Sequence, residues 1–277
     1  MPTNNSLITK AVIPAAGHGT RLRPLTNIIP KVLLPLGTKP TVQHIVEELQ
    51  AVGVEDIIFV VSPTGGSIRE YFDRADCKGK VRISYAVQET QKGLADAILQ
   101  AEELVGKEDF IVALGDTVVI SPYDDFPVRR LISAYQSNPA FAAILVEKVP
   151  ITTAPKYGMV KPVGEIAESF EISDVIEKPP VEESPSDYAI GGRYIFGPEI
   201  FDWIRRTRPG ALGEIQITDA VRLGISAGKR VWCVPTRKDE YRYDIGDFEV
   251  YCEAFIKTCM ADPHLSTIVE RVAKGDS

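Results

Sequence analysis

Short apolar runs alternate with helical patterns along the first half of the chain, and this alternation is the feature that most limits its fold. Four runs rich in Val and Ile, bounded by Gly, Pro, Asp or Ser, predict buried strands over residues 10–15, 56–62, 81–87 and 109–114. Between them, apolar residues recur at helical spacing over residues 42–49 and 94–104. Such stacked βαβ units predict an α/β fold with a Rossmann-like, mostly parallel sheet flanked by helices.

The pattern changes after Pro150. Three runs, over residues 157–162, 170–178 and 188–196, predict strands without long helices between them, so we expect the sheet to become mixed. Pro179, Pro180 and Pro185 lie among acidic residues and indicate an exposed loop. Helices are predicted over residues 198–206, 217–227, 247–261 and 265–273. We therefore expect residues 1–277 to form one domain, with halves at about 8–150 and 151–277.

Charge and apolar content narrow the range of partners. A formal net charge of -7 argues against a broad surface for nucleic acid or anionic membranes, because both partners require clustered Lys and Arg. The net charge does not exclude a local basic pocket. Because the chain shows neither an apolar run of roughly 18 residues nor a charged-then-apolar leader, we expect a cytoplasmic protein with no membrane partner.

The cysteines and histidines form no metal or disulfide pattern. They are Cys77, Cys233, Cys252, Cys259, His18, His44 and His264. The cysteines lack CxxC spacing and the density of a disulfide scaffold, so we expect reduced thiols. The histidines lie far apart along the chain, and zinc chemistry has no evident ligands.

A loop of small residues follows the first predicted strand. Its sequence, AAGHGTRL at residues 15–22, would let backbone amides approach a phosphate or a flat base closely. Leu22 stands where a dinucleotide fingerprint has its last glycine, and no GxxxxGK[ST] phosphate loop follows. Neither a dehydrogenase nor a P-loop NTPase is favoured, and the glycines alone are equally compatible with a tight turn.

Charged residues near this loop favour a phosphate site. Arg21 lies two residues after Gly19, and Lys31 lies between Pro30 and Pro35, which restrict where its ammonium group can go. Asp116 follows a predicted strand and so lies at a carboxyl end of the sheet, where open α/β folds bind ligands. From the sequence alone, Asp116 is either a metal ligand or a turn residue after Gly115.

These motifs together resemble those of the sugar-1-phosphate nucleotidyltransferases. The segment AVIPAAGHGTRLRPLTNIIPKVLLPL is similar to the GxGTRL...PKxxLP signature of that family. Further matches are residues 88–97, LGDT at 114–117, KYGMV at 156–160, IEKP at 176–179, GGRYIF at 191–196 and GEIQITDAV at 213–221. Within the family, the chain is most similar to the UTP-glucose-1-phosphate uridylyltransferases. The resemblance implies the nucleotide-diphospho-sugar transferase fold, with a nucleotide-binding half followed by a sugar-binding half and C-terminal helices.

The resemblance also implies roles for individual residues. Arg21, Lys31 and Asp116 are the implied catalytic residues. Mg²⁺ would be held by Asp116, with Asp244 ranked lower because its surroundings, YRYDIGDFE, depart from the common family forms. The implied nucleotide-binding residues are Ala15, Ala16, Gly17, Gly19, Thr20, Gln88, Gly93 and Gly115. The implied sugar-phosphate residues are Gly158, Glu177, Lys178 and Tyr194, although Tyr194 is equally compatible with the core. Strand periodicity opposes one shared site for Glu177 and Lys178, because neighbours on a strand face opposite ways.

The reaction implied by the resemblance is Mg²⁺-dependent in-line transfer from UTP to glucose 1-phosphate, giving UDP-glucose and pyrophosphate. A homodimer or homotetramer is implied as well. Two alternatives share the fold, a dTTP-dependent thymidylyltransferase and a guanylyltransferase that uses mannose 1-phosphate. A third alternative is a non-catalytic regulatory protein that binds nucleotide sugars. The presence of both Asp116 and Lys31 favours an enzyme over that third class.

Overall fold

The computed structural model describes residues 7–74, 81–123, 125–138, 140–210 and 213–275. Its strands are β1 (Lys10–Pro14), β2 (Pro35–Leu36), β3 (Lys39–Pro40), β4 (Asp56–Val61), β5 (Arg82–Val87), β6 (Phe110–Ala113), β7 (Thr117–Ile120), β8 (Ala142–Lys148), β9 (Gly158–Val163), β10 (Phe170–Glu177), β11 (Tyr188–Phe196), β12 (Val231–Pro235) and β13 (Tyr241–Asp244). Its α-helices are α1 (Thr41–Ala51), α2 (Gly66–Asp73), α3 (Leu94–Leu99), α4 (Glu102–Val105), α5 (Pro127–Ser137), α6 (Ile200–Arg206), α7 (Ile217–Ser226), α8 (Phe248–Ala261) and α9 (Leu265–Ala273).

The main sheet runs through both halves of the chain. Within the described ranges it has nine strands, in the order β5-β4-β1-β6-β11-β8-β12-β10-β9. The first four strands in this order are parallel, and β8 with β12 forms a further parallel pair. Only β11 and β10 run against the other strands. The predicted mixed, mostly parallel sheet is therefore confirmed.

Two helical layers cover the sheet. Ile57, Phe59 and Val61 of β4 pack in the same apolar cluster as residues of α1, α2 and α5. Ile58 and Val60, which alternate with them, pack instead with residues of α3, α6 and α7. A strand that is covered on both faces needs apolar residues at every position, which explains the continuous Val and Ile runs in the sequence.

Two expectations from the sequence are wrong in detail. The run 81–87 forms β5 at the edge of the sheet, where most of its side chains are exposed or half-buried, because side chains at an edge have packing neighbours on one side only. The helical pattern over 94–104 is divided into α3 and α4. At the division, the amide of Ala101 bonds the carbonyl of Ile98, three residues earlier, and the tighter turn leaves Leu104 exposed.

The described residues contain no helix long and apolar enough to cross a membrane. Among the described residues Cys233 and Cys259 are buried, Cys252 is exposed, and none of the three forms a disulfide. Cys77, the fourth cysteine of the sequence, lies outside the described residues.

A buried ion pair connects the sheet to the first long helix. Arg193 on β11 has no exposed side-chain surface, and its guanidinium donates to the two carboxylate oxygens of Glu48 on α1 at 2.7 and 3.3 Å. The guanidinium also donates to the carbonyl oxygens of Thr117, at 2.9 Å, and Gly192, at 3.2 Å. Because a charge is stable away from water only when partners replace its hydration, removing one partner leaves the other strongly destabilised.

We predict that Glu48→Ala lowers the free energy of unfolding by about 3–5 kcal/mol, because it leaves the Arg193 charge buried and unpaired. The control is Glu70→Ala on α2, which removes an exposed pair with Arg74 and should cost about 1 kcal/mol or less. Urea unfolding monitored by circular dichroism measures both. Equal losses for the two variants would contradict the role of the buried pair.

Candidate active site

The candidate site lies at the carboxyl ends of the parallel strands. β1 sits between β4 and β6, so the loops that leave these strands separate and open a cleft, as at the switch point of other open α/β sheets. The amide of Ala15 bonds the carbonyl of Val60 at 2.8 Å, and the amide of Gly115 bonds the carbonyl of Pro14 at 3.3 Å. The glycine loop and the loop that carries Asp116 therefore lie side by side.

A cavity of about 360 Å³ opens between these loops and the segment after β5. Of the residues predicted to bind nucleotide, Ala16, Gly17, Gln88 and Gly93 line it, together with Asp116. The remaining four, which are Ala15, Gly19, Thr20 and Gly115, belong to the same two loops but not to the described cavity wall. Gln91, which the sequence analysis did not single out, lines the cavity and donates from its amide to the carbonyl of Ala16.

Gln88 and Gly93 lie against each other in the cavity wall. Gly93 precedes α3 with a φ of 105°, and a Cβ there would lie 2.6 Å from the carbonyl oxygen of Ile215, so only glycine fits. The Gln88 side chain is 4% exposed, and its Nε2 donates to the Gly93 carbonyl at 3.2 Å and to Oδ2 of Asp96 at 2.7 Å. Gln88 and Gly93 therefore line the same cavity, and their predicted contact with a base stays a prediction.

A second cavity, of about 190 Å³, adjoins the first. The two cavities share Leu94, Leu114, Lys178 and Gln216 in their walls. All four residues predicted to bind the sugar phosphate line the second cavity; they are Gly158, Glu177, Lys178 and Tyr194. The structure thus brings together residues from β9, β10 and β11 that are distant in the sequence.

Glu177 and Lys178 reach the same cavity because the strand ends between them. β10 ends at Glu177, and Lys178 has a φ of 46°, in the left-handed region that turns the chain. The objection from strand periodicity therefore does not hold. Thr218 donates to Oε2 of Glu177 at 2.7 Å, and Nζ of Lys178 lies 3.2 Å from Oε1. A Cβ on Gly158 would lie 3.2 Å from Glu177 Oε2, so the glycine leaves room for this carboxylate.

Tyr194 and Arg242 form a buried wall of the second cavity. Tyr194 is 3% exposed and stacks on Phe196, and burial raises the pKa of its phenol, which stays neutral. The Arg242 side chain is 5% exposed and donates to Oε2 of Glu147 at 2.8 Å. The sequence analysis missed Arg242, although its position two residues before Asp244 on one strand places both side chains on the same face.

Lys31 and the two aspartates meet where the cavities adjoin. Asp116 lines the first cavity and Asp244 the second, and Nζ of Lys31 lies 2.6 Å from Oδ2 of Asp116. The antiparallel pairing of β7 with β13 places Thr117 opposite Asp244, and the amide of Ile245 bonds the carbonyl of Asp116 at 2.9 Å. The backbone therefore fixes Asp116, just before β7, next to Asp244 at the end of β13.

The groups around Asp244 have opposite effects on its pKa. Burial and the nearby Asp116 carboxylate raise the pKa of Asp244, and the cations of Lys31, Arg242 and Arg21 act against this increase. Arg21 reaches this position beside Gly246, where a Cβ would lie 3.0 Å from its guanidinium nitrogen. Two neighbouring carboxylates surrounded by basic groups are suited to an anionic ligand that brings a cation with it.

The carboxylates of the site match a divalent cation that takes only one or two ligands from the protein. The described residues contain no group of three or more His, Cys, Asp or Glu side chains that could hold a metal. Mg²⁺ commonly takes one or two carboxylates from the protein and its other oxygens from phosphates and water. The Asp116 and Asp244 carboxylates fit that pattern, so the structure supports a metal bound together with a phosphate substrate.

Cavity size alone does not identify this site. Two other cavities, of about 410 and 430 Å³, have larger volumes. Neither has in its wall any of the catalytic, metal-binding, nucleotide-binding or sugar-phosphate residues predicted from the sequence. The location at the strand ends and the convergence of charged groups identify the functional cleft instead.

The family profile and several similar relatives place the chain in one family. The profile of the family described as nucleotidyl transferase matches residues 10–260. A protein of Methanocaldococcus jannaschii is 42% identical over 263 residues, which cover 87% of this chain and 89% of the relative. The UTP-glucose-1-phosphate uridylyltransferase of Staphylococcus epidermidis is 36% identical over 279 residues, which cover 94% of this chain and 95% of the relative.

Solved structures agree over nearly the whole chain. A UDP-glucose pyrophosphorylase complexed with UDP-glucose has a TM-score of 0.85 at 35% identity, covering 92% of this chain and 100% of that chain. The UTP-bound UGPase of Acinetobacter baumannii has a TM-score of 0.87 at 29% identity, covering 96% and 98%. The nucleotide-diphospho-sugar transferase fold predicted from the sequence is confirmed.

We predict that Lys31→Ala lowers the turnover of nucleotidyl transfer by roughly 10²-fold or more while the protein stays folded, because it removes a positive charge from the candidate phosphate site. The control is Lys39→Ala, which removes an exposed lysine paired with Glu47 and should leave turnover unchanged. Initial rates and thermal melting measure the two effects. Near-normal turnover in Lys31→Ala would remove this residue from the reaction.

Proposed function

The chain belongs to the nucleotidyl transferase family, and from this premise we propose that it transfers the uridylyl group of UTP to glucose 1-phosphate. The products are UDP-glucose and pyrophosphate. The observation that carries the proposal is the pair of adjoining cavities, one lined by the glycine loop and Gln88 and the other by Glu177 and Lys178. The relatives named above as acting on UTP and glucose 1-phosphate support this choice of substrates.

We propose that UTP occupies the first cavity. Gln88 and the backbone at Gly93 would read the pyrimidine edge, and the small residues of the glycine loop would contact the nucleotide phosphates. The sugar 1-phosphate would occupy the second cavity. There Glu177 would accept hydrogen bonds from sugar hydroxyls, Lys178 would meet the sugar phosphate, and Gly158 would allow the sugar to approach the backbone.

The proposed reaction is a direct displacement at the α-phosphorus of UTP. An oxygen of the sugar phosphate forms the new bond to that phosphorus, the bond to the bridging oxygen of the β-phosphate breaks, and pyrophosphate leaves. The attacking oxygen is already ionised at neutral pH, so a general base adds little, and positioning and charge neutralisation provide the catalysis. Lys31 would stabilise charge at the reacting phosphates, and Arg21 would stabilise the leaving pyrophosphate.

Enzymes of this family generally use a divalent metal ion. We propose Mg²⁺ for this chain, held by Asp116 and Asp244, where a bound cation would neutralise charge on the triphosphate. The lower rank that the sequence analysis gave Asp244 changes here, because β13 holds it beside Asp116.

The assignment of nucleotide binding to the first half of the chain and sugar binding to the second is also a proposal. The 360 Å³ cavity has most of its wall in residues 8–150, which supports a nucleotide-binding first half, but Lys178, Glu214 and Gln216 also contribute to it. We therefore propose that residues 1–277 act as one domain, with the site built across both halves. The homodimer or homotetramer and the cytoplasmic location expected from the sequence remain predictions.

The proposed reaction is tested by pyrophosphate release over a matrix of UTP, dTTP, ATP and GTP with glucose 1-phosphate and mannose 1-phosphate, with Mg²⁺ or with EDTA. We expect release with UTP and glucose 1-phosphate that EDTA abolishes. One methyl group is distinguished by only about 1–3 kcal/mol, so dTTP should be a poor but detectable substrate, with both purine nucleotides far behind.

Each other outcome of the matrix assigns a different function. A higher kcat/KM for dTTP than for UTP would place the chain in the thymidylyl branch. Preference for GTP with mannose 1-phosphate would make it a guanylyltransferase. No pyrophosphate from any pair, despite nucleotide binding, would favour the regulatory protein.

We predict that Asp116→Asn abolishes turnover with little change in melting temperature, because it keeps the shape of the turn and removes an anionic metal ligand. The control, Asp187→Asn, alters a carboxylate on the surface that pairs with Lys148, and full activity is expected. Activity of Asp116→Asn at ordinary Mg²⁺ concentrations would make Asp116 a turn residue only.

A further inference from the structure

The amide of Gln88 is held in one orientation. Its Nε2 lies 2.7 Å from Oδ2 of Asp96 and 3.2 Å from the carbonyl oxygen of Gly93. A carboxylate and a carbonyl are both hydrogen-bond acceptors, so each of them requires the NH₂ end of the amide to face it. Rotating the amide by half a turn would place Oε1 against two acceptors. Asp96 and Gly93 therefore leave Oε1 as the end of the side chain available to a ligand in the cavity.

We infer that Asp96 is a specificity-determining residue that acts through Gln88. Asp96 holds the amide so that Oε1 faces the base, and the site then selects a base edge that donates a hydrogen bond. This inference rests on the proposed binding of UTP in the cavity of about 360 Å³. It goes further by assigning the choice between uracil and cytosine to Asp96, a residue of the matched segment 88–97 to which the family resemblance gave no role.

The hydrogen-bonding group at N3 differs between uracil and cytosine, and this difference determines which base the site selects. Uracil carries a hydrogen on N3 and donates to an acceptor, whereas neutral cytosine has a lone pair on N3 and an amino group at the neighbouring position. Opposite a fixed Oε1, the N3 of cytosine would leave two acceptors facing each other in a buried place, which is strongly unfavourable. Thymine shares the N3 hydrogen of uracil, so Asp96 excludes CTP without excluding dTTP.

The test compares UTP with CTP in a double-mutant cycle. The enzymes are the wild type, Asp96→Asn, Gln88→Ala and the double variant, with glucose 1-phosphate held constant. An asparagine can donate as well as accept, so Asp96→Asn allows the Gln88 amide to rotate. We expect the wild type to prefer UTP over CTP in kcat/KM by about 10²-fold or more, and Asp96→Asn to reduce that ratio by about tenfold or more.

The double-mutant cycle separates an effect of Asp96 that acts through Gln88 from a general effect on activity. Because Asp96 acts through Gln88, Asp96→Asn should not change the UTP to CTP ratio further in the Gln88→Ala background. The KM for glucose 1-phosphate should remain close to the wild-type value. A surface control, Glu102→Gln, removes a carboxylate that pairs with Arg205 and should leave the ratio unchanged. An unaltered ratio in Asp96→Asn, or an equal change in both backgrounds, would overturn the inference.

A binding measurement keeps the inference distinct from the proposed reaction. Calorimetric titration of UTP and CTP into the same four proteins requires no turnover, and Asp96→Ser provides the same test if Asp96→Asn does not fold. UTP-selective binding that the Asp96 variants relax would support the inference even if wild-type enzyme released no pyrophosphate. Equal loss of UTP and CTP binding in these variants would contradict it, because only the selection depends on the amide orientation.

Discussion

The buried guanidinium of Arg193 is the interaction on which the site geometry depends. It joins β11 to α1 through Glu48 and bonds the carbonyl of Thr117, the residue that follows Asp116. The strand that begins at Thr117 pairs with β13, whose last residue is Asp244. The Arg193 guanidinium is stable away from water only while these partners bond it. The same bonds hold the backbone that carries the Asp116 and Asp244 carboxylates. The stability of the sheet and the geometry of the site depend on the same contacts.

The distribution of charge explains how an acidic chain handles anionic substrates. The net charge is -7, yet cationic side chains lie around the two cavities, among them Arg21, Lys31, Lys156, Lys178 and Arg242. Several other basic residues pair with carboxylates on the surface, as Arg82 does with Asp56 and Arg230 with Glu171. Local potential is set by nearby unscreened groups and not by the total charge. The proposed substrates bring the phosphates that complete this arrangement.

Much of this fold could be predicted from the sequence, because a buried parallel strand requires apolar residues throughout and a covered helix requires an apolar stripe. β1, β4, β6 and α1 follow that rule. By contrast, β7 and β13 are four residues each, and they pair across more than a hundred residues of sequence, so no local pattern indicates them. The family motifs indicated most site residues. The left-handed turn at Lys178 and the contact of Asp96 with Gln88 depend on tertiary structure, which a motif does not describe.

We propose that both substrates bind side by side and that transfer is direct, because the two cavities share wall residues. The most direct test is exchange of labelled pyrophosphate into UTP in the presence of Mg²⁺ and the absence of glucose 1-phosphate. Direct transfer predicts no exchange above an enzyme-free control, and exchange should appear when glucose 1-phosphate is added. Exchange without the sugar phosphate, at a rate comparable to turnover, would require a covalent uridylyl-enzyme and would contradict this account.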